Sequence, residues 1–362
     1  MTIRAAVLWE QRVPLSVEDV ELAPPGRGEV LVEVKAAGVC HSDLHPACGD
    51  WPVRTPLVLG HEGSGVVREL GAGVTRVAVD DHVVFCWAPA CGTCPSCRAG
   101  RPVLCDRLDR TTYRNRLPSG ETRLRARGQA IGSFLSTACF ADHAVVAEEG
   151  LVVVPREVGF EALAALGCAV LTGVGAVLNA ARVPEGACVA VIGVGGVGLN
   201  VVQGASIAGC ERIIAVDRSP AALEFATTFG ATDCAGNSSA IRELTAGRGA
   251  DYVFDTVGTP ATLSEALASV RKGGTVVLTG LSRLDAEASI PMYPFVMQEK
   301  RLIGSLYGSG QPAADVPRLV SLHLEGKLKL QELAARIYPL DGINDALAAL
   351  ASNAGARGVV RL

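Results

Sequence analysis

Four cysteines in one fifteen-residue window, Cys91-x2-Cys94-x2-Cys97-x7-Cys105, constrain this chain more than any other feature. The stretch is punctuated by Gly92 and Pro95, so it turns back on itself and can converge four thiolates on one tetrahedral ion. Four thiolates leave no open coordination position, which is the pattern of a structural zinc. An iron–sulfur cluster uses the same donors, and two disulfides would need the same residues. Met1-Thr2-Ile3-Arg4-Ala5 lacks the apolar core of a secretory signal, so a cytoplasmic location is expected. Twelve cysteines in a reducing compartment then read as metal ligands and buried thiols rather than bridges.

A length of 362 residues favours two domains, each with its own core. The net charge of −4 gives no basic field for nucleic acid, and 4% aromatic residues are too few for a base-stacking platform. Residues 162–181 and 186–210 carry no charge and are long enough to cross a bilayer. The second stretch, however, is broken by Gly193, Gly195, Gly196 and Gly198 and contains Asn200 and Gln203. It reads as strand, turn and packed helix, and no membrane span is expected.

Up to about residue 155, short β runs such as Val30–Val34, Gly65–Val67, Val83–Phe85 and Ala144–Val146 alternate with Gly/Pro turns, which predicts a β-rich, barrel-like domain. From about residue 160 the rhythm changes. Apolar runs at 188–192, 213–216, 252–254 and 275–279 alternate with helical stretches near 197–208, 220–229, 239–246 and 261–270. That alternation predicts an α/β doubly wound parallel sheet with helices on both faces. Two Ala/Leu-rich helices, 314–325 and 342–352, and a β run at 358–361 close the chain. Residues 106–130 hold seven arginines in a polar, turn-rich insert that reads as a solvated surface loop, with an anion site as the alternative.

Cys188–Ile192 leads into Gly193-Val194-Gly195-Gly196-Val197-Gly198, which opens a helix. This is a dinucleotide fingerprint in its strand–turn–helix setting: a tight turn at the first glycine, backbone approach to pyrophosphate at the second, helix–strand packing at the third. Asp217 follows nineteen residues past Gly198, at the end of the next predicted strand. An acid there accepts from the ribose 2′-hydroxyl and favours NAD over NADP, unless it is simply a helix cap. Arg218 is the residue that would accommodate a 2′-phosphate, so NADP stays open.

Cys40, His61 and Cys168 are far apart in sequence, but two thiolates, one imidazole and an open position form a catalytic zinc pattern. With Gly60-His61-Glu62, the four-cysteine lobe and the glycine fingerprint with Asp217, the chain resembles the zinc-dependent medium-chain alcohol dehydrogenases over nearly its whole length. The resemblance implies a GroES-like catalytic domain built from residues 1–165 and 306–362, with a Rossmann domain, 166–305, inserted between them. It implies two zinc ions per chain: a catalytic one on Cys40, His61 and Cys168, and a structural one on Cys91, Cys94, Cys97 and Cys105.

Further roles follow from the same resemblance. Glu62 would lie beneath the catalytic metal as a supporting or alternate ligand. Ser42 would bond the substrate oxygen and pass its proton through the nicotinamide ribose to His45 at the surface. His41 and Arg357 would touch the pyrophosphate, with Val197, Thr172 and Thr279 also against the cofactor. Trp87, Phe134 and Leu135 would line the substrate cleft, with Trp51, Leu306 and Tyr307 farther out; apolar and aromatic lining suits medium-chain or aromatic primary alcohols and their aldehydes. The insert at 106–133 resembles the long loop of a dimeric branch, which favours a homodimer and leaves a tetramer open. The glutathione-linked formaldehyde branch has an acid near the position of Trp51 and an arginine near that of Asp109; this chain has neither, so that activity comes second, beside polyol and cinnamyl-type dehydrogenases. A non-catalytic zinc- and nucleotide-binding protein is the contrasting alternative.

Overall fold

The computed structural model describes residues 1–352 and 357–362. Strands with one buried face and tight turns between them build the first half. Thr2–Leu8, Ser16–Leu22, Leu124–Ala126, Gln129–Ser133 and Leu57–Val58 close into a barrel. A seven-stranded sheet lies beside it, in the order Leu151–Val153, His82–Phe85, Glu62–Leu70, Glu29–Gly38, Gly358–Arg361, Arg336–Pro339, with His143–Ala147 also paired to Glu29–Gly38. The end of the chain therefore returns to its beginning: Val359 pairs with Gly38, which pairs on its other side with Glu62. That register brings Arg357 to Glu62.

The second half is a six-stranded parallel sheet, ordered Asp233–Ala235, Arg212–Val216, Cys188–Ile192, Ala250–Asp255, Val270–Leu278, Arg301–Gly304. Strand order reverses at Cys188–Ile192, and in open sheets of this kind ligands bind at the crevice the reversal creates. The helices Gly196–Ile207, Pro220–Thr228, Ser239–Leu244 and Pro260–Ser269 connect the strands, close to the stretches the periodicity marks. The outermost strands, Asp233–Ala235 and Arg301–Gly304, are short and carry no strong apolar run, and sequence periodicity does not reveal them.

Among the described residues one helix, Phe160–Ala181, is long and apolar enough to cross a membrane, but 83% of its most apolar window is buried inside the protein. Its turns widen at Leu166–Val170 and Ala176–Ala181, where π-helical geometry replaces the α-helix. Cys168 sits inside the first of these wide turns. A Cβ at residue 167 would lie 1.9 Å from the Phe85 carbonyl oxygen, so glycine there lets this helix press directly on the strand His82–Phe85.

The arginine-rich insert departs from the expectation of a solvated loop. It supplies the two barrel strands Leu124–Ala126 and Gln129–Ser133, and Leu108, Leu117 and Leu124 are buried. Arg123 Nε donates to Glu29 Oε2 at 2.6 Å, the Ser119 hydroxyl to Glu29 Oε1 at 2.9 Å, and the Gly26 N–H to the same carboxylate at 2.8 Å. Glu29 is only 2% exposed, so its charge depends on these partners. Arg123→Ala should therefore lower unfolding stability by about 2–4 kcal/mol, since it strands a buried carboxylate. Arg125→Ala, at an exposed site, should stay within about 0.5 kcal/mol. Denaturant titration of the two variants checks this, and equal midpoints would contradict it.

Candidate active site and metal centres

The four-cysteine lobe is built by local turns. Cys94 caps the short helix Pro95–Arg98, its sulfur accepting from the Cys97 N–H at 3.4 Å. Cys91 Sγ accepts from the Cys94 N–H at 3.4 Å, and Cys105 Sγ from the Cys91 N–H at 3.3 Å. All four sulfurs lie within 4.8 Å of one another. Backbone donors, foremost that of Thr93, draw the Cys91 thiol down to about 6, whereas burial, with the neighbouring sulfurs, pushes Cys97 up to about 12. Four thiolates this close cannot coexist without a cation, so the donor set fits a four-sulfur metal site.

A second group lies where the seven-stranded sheet meets the long buried helix. Cys40 follows the strand Glu29–Gly38 and caps the helix His41–Cys48. His61 precedes the strand Glu62–Leu70, and Cys168 comes from the wide helical turn. The ligand atoms of Cys40, His61, Glu62 and Cys168 lie within 4.8 Å of one another, and all four residues are buried.

Asp43 organises this group. One of its oxygens accepts from His61 Nδ1 at 3.0 Å and the Gly60 N–H at 3.1 Å; the other accepts from the Cys40 N–H at 3.1 Å. An ionised carboxylate only accepts, so Nδ1 carries the hydrogen and Nε2 holds the lone pair. His61 Nε2 is buried and has no hydrogen-bond partner. Burial opposes a charge on His61, but Asp43 outweighs it and raises the imidazole's proton affinity well above its ordinary value. The Cys168 contact is the largest factor lowering the Cys40 thiol, while Cys168 itself is pushed up by its bond to Cys40 and by burial. Two thiols competing for one proton around an orphaned imidazole nitrogen is a setting that fits a cation. Two sulfurs and one nitrogen are a zinc donor set with a fourth position to spare.

Behind this group, Arg357 Nε donates to Glu62 Oε2 at 3.0 Å, and Nη2 also bonds Glu62. Burial pushes the Glu62 carboxyl up to about 7, against the pull of the guanidinium. The same guanidinium abuts the glycine turn: a Cβ at Gly196 would meet Arg357 Nη1 at 2.1 Å. Arg357 thus stands between the metal-type site and the turn.

The turn itself is tight. Gly193 has φ +84°, and a Cβ at Gly198 would lie 1.9 Å from the Gly193 carbonyl oxygen, which locks the helix start onto the strand end. Gly195 has open space beside it, and Val197 is half-buried. Asp217 Oδ2 accepts from the Val194 N–H at 3.0 Å and Oδ1 from the Ser219 N–H at 2.9 Å. The cap of the following helix is Ser219, not Asp217. Arg218 and His41 are exposed, whereas Thr172 and Thr279 are buried. The Thr279 hydroxyl donates to the Asp255 carbonyl at 3.1 Å.

Ser42 and His45 are three residues apart on the helix His41–Cys48 and share a face. Phe134 packs edge-on against His61, ring centroids 5.7 Å apart. Trp87 is buried against Tyr307 at 4.5 Å, in the apolar cluster that contains Cys168 and against which Leu135 and Leu306 pack. Tyr307 is anchored in that core by its hydroxyl, which donates to the Gly167 carbonyl. Trp51 has other neighbours: its ring stacks on His45 and its Nε1 donates to the Ser282 carbonyl at 3.0 Å. Sequence reasoning assigns no role to Asp43, although its spacing from Cys40 is that of a capping box, a signal that could have marked it.

Comparison with known proteins agrees with this geometry. Residues 26–156 match the model of the alcohol dehydrogenase GroES-like domain, and residues 196–325 that of the zinc-binding dehydrogenase. An S-(hydroxymethyl)glutathione dehydrogenase of Synechocystis is 37% identical, over 99% of this chain and 100% of that one. The crystal structure of benzyl alcohol dehydrogenase from Acinetobacter calcoaceticus superposes with TM-score 0.93 at 31% identity, covering 100% of this chain and 99% of the other. Acetophenone reductase from Geotrichum candidum, solved in complex with NAD, gives TM-score 0.79 at 27% identity, covering 100% and 97%. The chain belongs to the zinc-dependent medium-chain alcohol dehydrogenases, a family of oxidoreductases.

Proposed function

We propose that this protein is an NAD-dependent alcohol dehydrogenase that interconverts primary medium-chain or aromatic alcohols and their aldehydes. The observation that carries the reading is the buried, unpartnered His61 Nε2, facing two sulfurs and a carboxylate within 4.8 Å. Cys40, His61 and Cys168 would hold a catalytic zinc and Cys91, Cys94, Cys97 and Cys105 a structural one. When bound, the first ion would supply Lewis acidity toward a substrate oxygen and NAD would supply a hydride acceptor.

The chain's own groups do the rest. Ser42 would accept the proton of the substrate hydroxyl as it gives up its own, and His45 on the same helix face would act as the general base that takes up the relayed proton and releases it to solvent. Asp43 keeps the lone pair of His61 aimed into the site, and Glu62 with Arg357 balances the buried charge behind it. Phe134, Trp87, Leu135 and Leu306 keep water out and favour an apolar or aromatic substrate. The likeness to a benzyl alcohol dehydrogenase supports that class. The likeness to an NAD-bound structure and the position of Asp217 after the second strand of the parallel sheet support NAD. The Synechocystis relative favours a glutathione-linked activity as the second reading, against which stand Trp51 and Asp109.

We place the catalytic part in residues 1–165 and 306–362 and the nucleotide part in 166–305, within the cytoplasm, where twelve free cysteines are stable. A homodimer is supported by the exposed edge strand Arg301–Gly304 and the neighbouring apolar surface of Leu281, Leu284, Met292, Tyr293, Val296 and Met297, each more than half exposed.

Three outcomes are expected. Ser42→Ala should lower kcat by about 10²–10⁴-fold with unchanged metal content, and normal turnover would refute its role. Cys94→Ser should reduce zinc from about two ions per chain to about one by elemental analysis, and an unchanged content would remove the lobe as a zinc site. Light scattering should give the mass of two chains, falling to one in Val296→Glu; a monomeric parent protein would contradict the dimer.

A further inference from the structure

The segment after the helix His41–Cys48 holds a network that the proposed proton route does not use. The helix ends at Gly49, φ +79°, and the chain folds back so that the Asp50 N–H donates to the His45 carbonyl at 2.9 Å. The return places Asp50 Oδ2 3.1 Å from His45 Nδ1 and lays the Trp51 indole on the imidazole, centroids 4.5 Å apart and planes within 24°. Since a carboxylate only accepts, Nδ1 carries the hydrogen and Nε2 is left with the lone pair. One edge and one face of the ring are thereby held. Gln11 braces the turn from the other side, its amide donating to the Trp51 carbonyl at 2.8 Å and the Pro46 carbonyl at 2.7 Å.

Both holding residues are tied to the loop that follows the strand Val270–Leu278 of the parallel sheet. Trp51 Nε1 donates to the Ser282 carbonyl, and Arg283 Nη1 lies 3.7 Å from Asp50 Oδ1. The contacts bridge more than 230 residues of sequence, from the catalytic helix to the sheet that carries the glycine turn. The setting of His45 therefore depends on how the two halves of the chain dock.

We propose that Asp50 is a positioning residue for proton transfer: it fixes the tautomer and orientation of His45 so that Nε2 accepts the proton, and Trp51 and Arg283 tie that arrangement to the docked position of the parallel sheet. The proposal rests on His45 being the proton outlet. The same logic governs serine hydrolases, where a carboxylate on Nδ1 sets the competent tautomer of a histidine and its amide replacement costs several orders of magnitude.

The test is a double-mutant cycle in the zinc-loaded enzyme, with steady-state kinetics and ¹⁵N-histidine NMR. Asp50→Asn should lower kcat at least about tenfold while leaving KM and zinc content near those of the parent, and Asp50→Glu should restore part of the loss. The signal that disappears in His45→Gln should report the Nδ1–H tautomer in the parent and lose that bias in Asp50→Asn. In the His45→Gln background Asp50→Asn should add nothing. Arg283→Ala should give a smaller fall in kcat in the same direction. If His45→Gln is slow but Asp50→Asn runs at the parental rate, or if Asp50→Asn costs the same in both backgrounds, the positioning role is overturned alone. If His45→Gln turns over normally, the proton route fails and this proposal with it.

Discussion

Burying two thiols, an imidazole and two carboxylates together costs several kcal/mol per charge unless each finds a partner, and Asp43 supplies the first of them. Its three hydrogen bonds bind the start of a helix, the turn before a strand and the imidazole of His61 into one unit. They orient the lone pair of His61 toward Cys40 and Cys168, and the orphaned Nε2 is the consequence. Asp43→Ala would therefore disturb backbone and ligand together. The site is assembled from both sides, because the third donor arrives from a helix pressed onto the sheet through Gly167.

The return of the chain to its starting sheet couples this group to the nucleotide crevice. Gly358–Arg361 adds to Glu29–Gly38, and one residue before it Arg357 is clamped between Glu62 and the glycine turn. Its charge is desolvated and paired with Glu62, an arrangement in which truncating either partner is costly. The crevice and the metal-type site thus share one buried cation, and a change in charge at either is felt by the other. Fold and site are interlocked here: the antiparallel strand pairing that ends the chain also sets the electrostatics beneath the ligands.

Much of this was legible in the sequence where the signal is local. The glycine turn, the four-cysteine lobe and the central strands at 188–192 and 213–216 depend on residues within one or two turns of each other. The grouping of Cys40, His61 and Cys168 rests on donor chemistry together with family resemblance, since strand register and helix packing bring them together, not spacing. The capping-box spacing from Cys40 marks Asp43 as a helix cap, but its imidazole partner is eighteen residues away and no local pattern points to it. The insert was misread for the reverse reason: seven arginines mask the buried Leu108, Leu117 and Leu124, and the acid that anchors Arg123 lies 94 residues upstream at Glu29. The resemblance puts Trp51 at the outer part of the substrate cleft; its stacking on His45 and its N–H bond to Ser282 are long-range contacts that the sequence does not display.

Diffraction at the zinc absorption edge tests the central claim most directly. An anomalous peak about 2.1 Å from His61 Nε2 and about 2.3 Å from the sulfurs of Cys40 and Cys168 is the predicted result. A crystal of zinc-replete protein with density only among the four cysteines of the 91–105 lobe, and His61 Nε2 bonded to water or to Glu62, would contradict it.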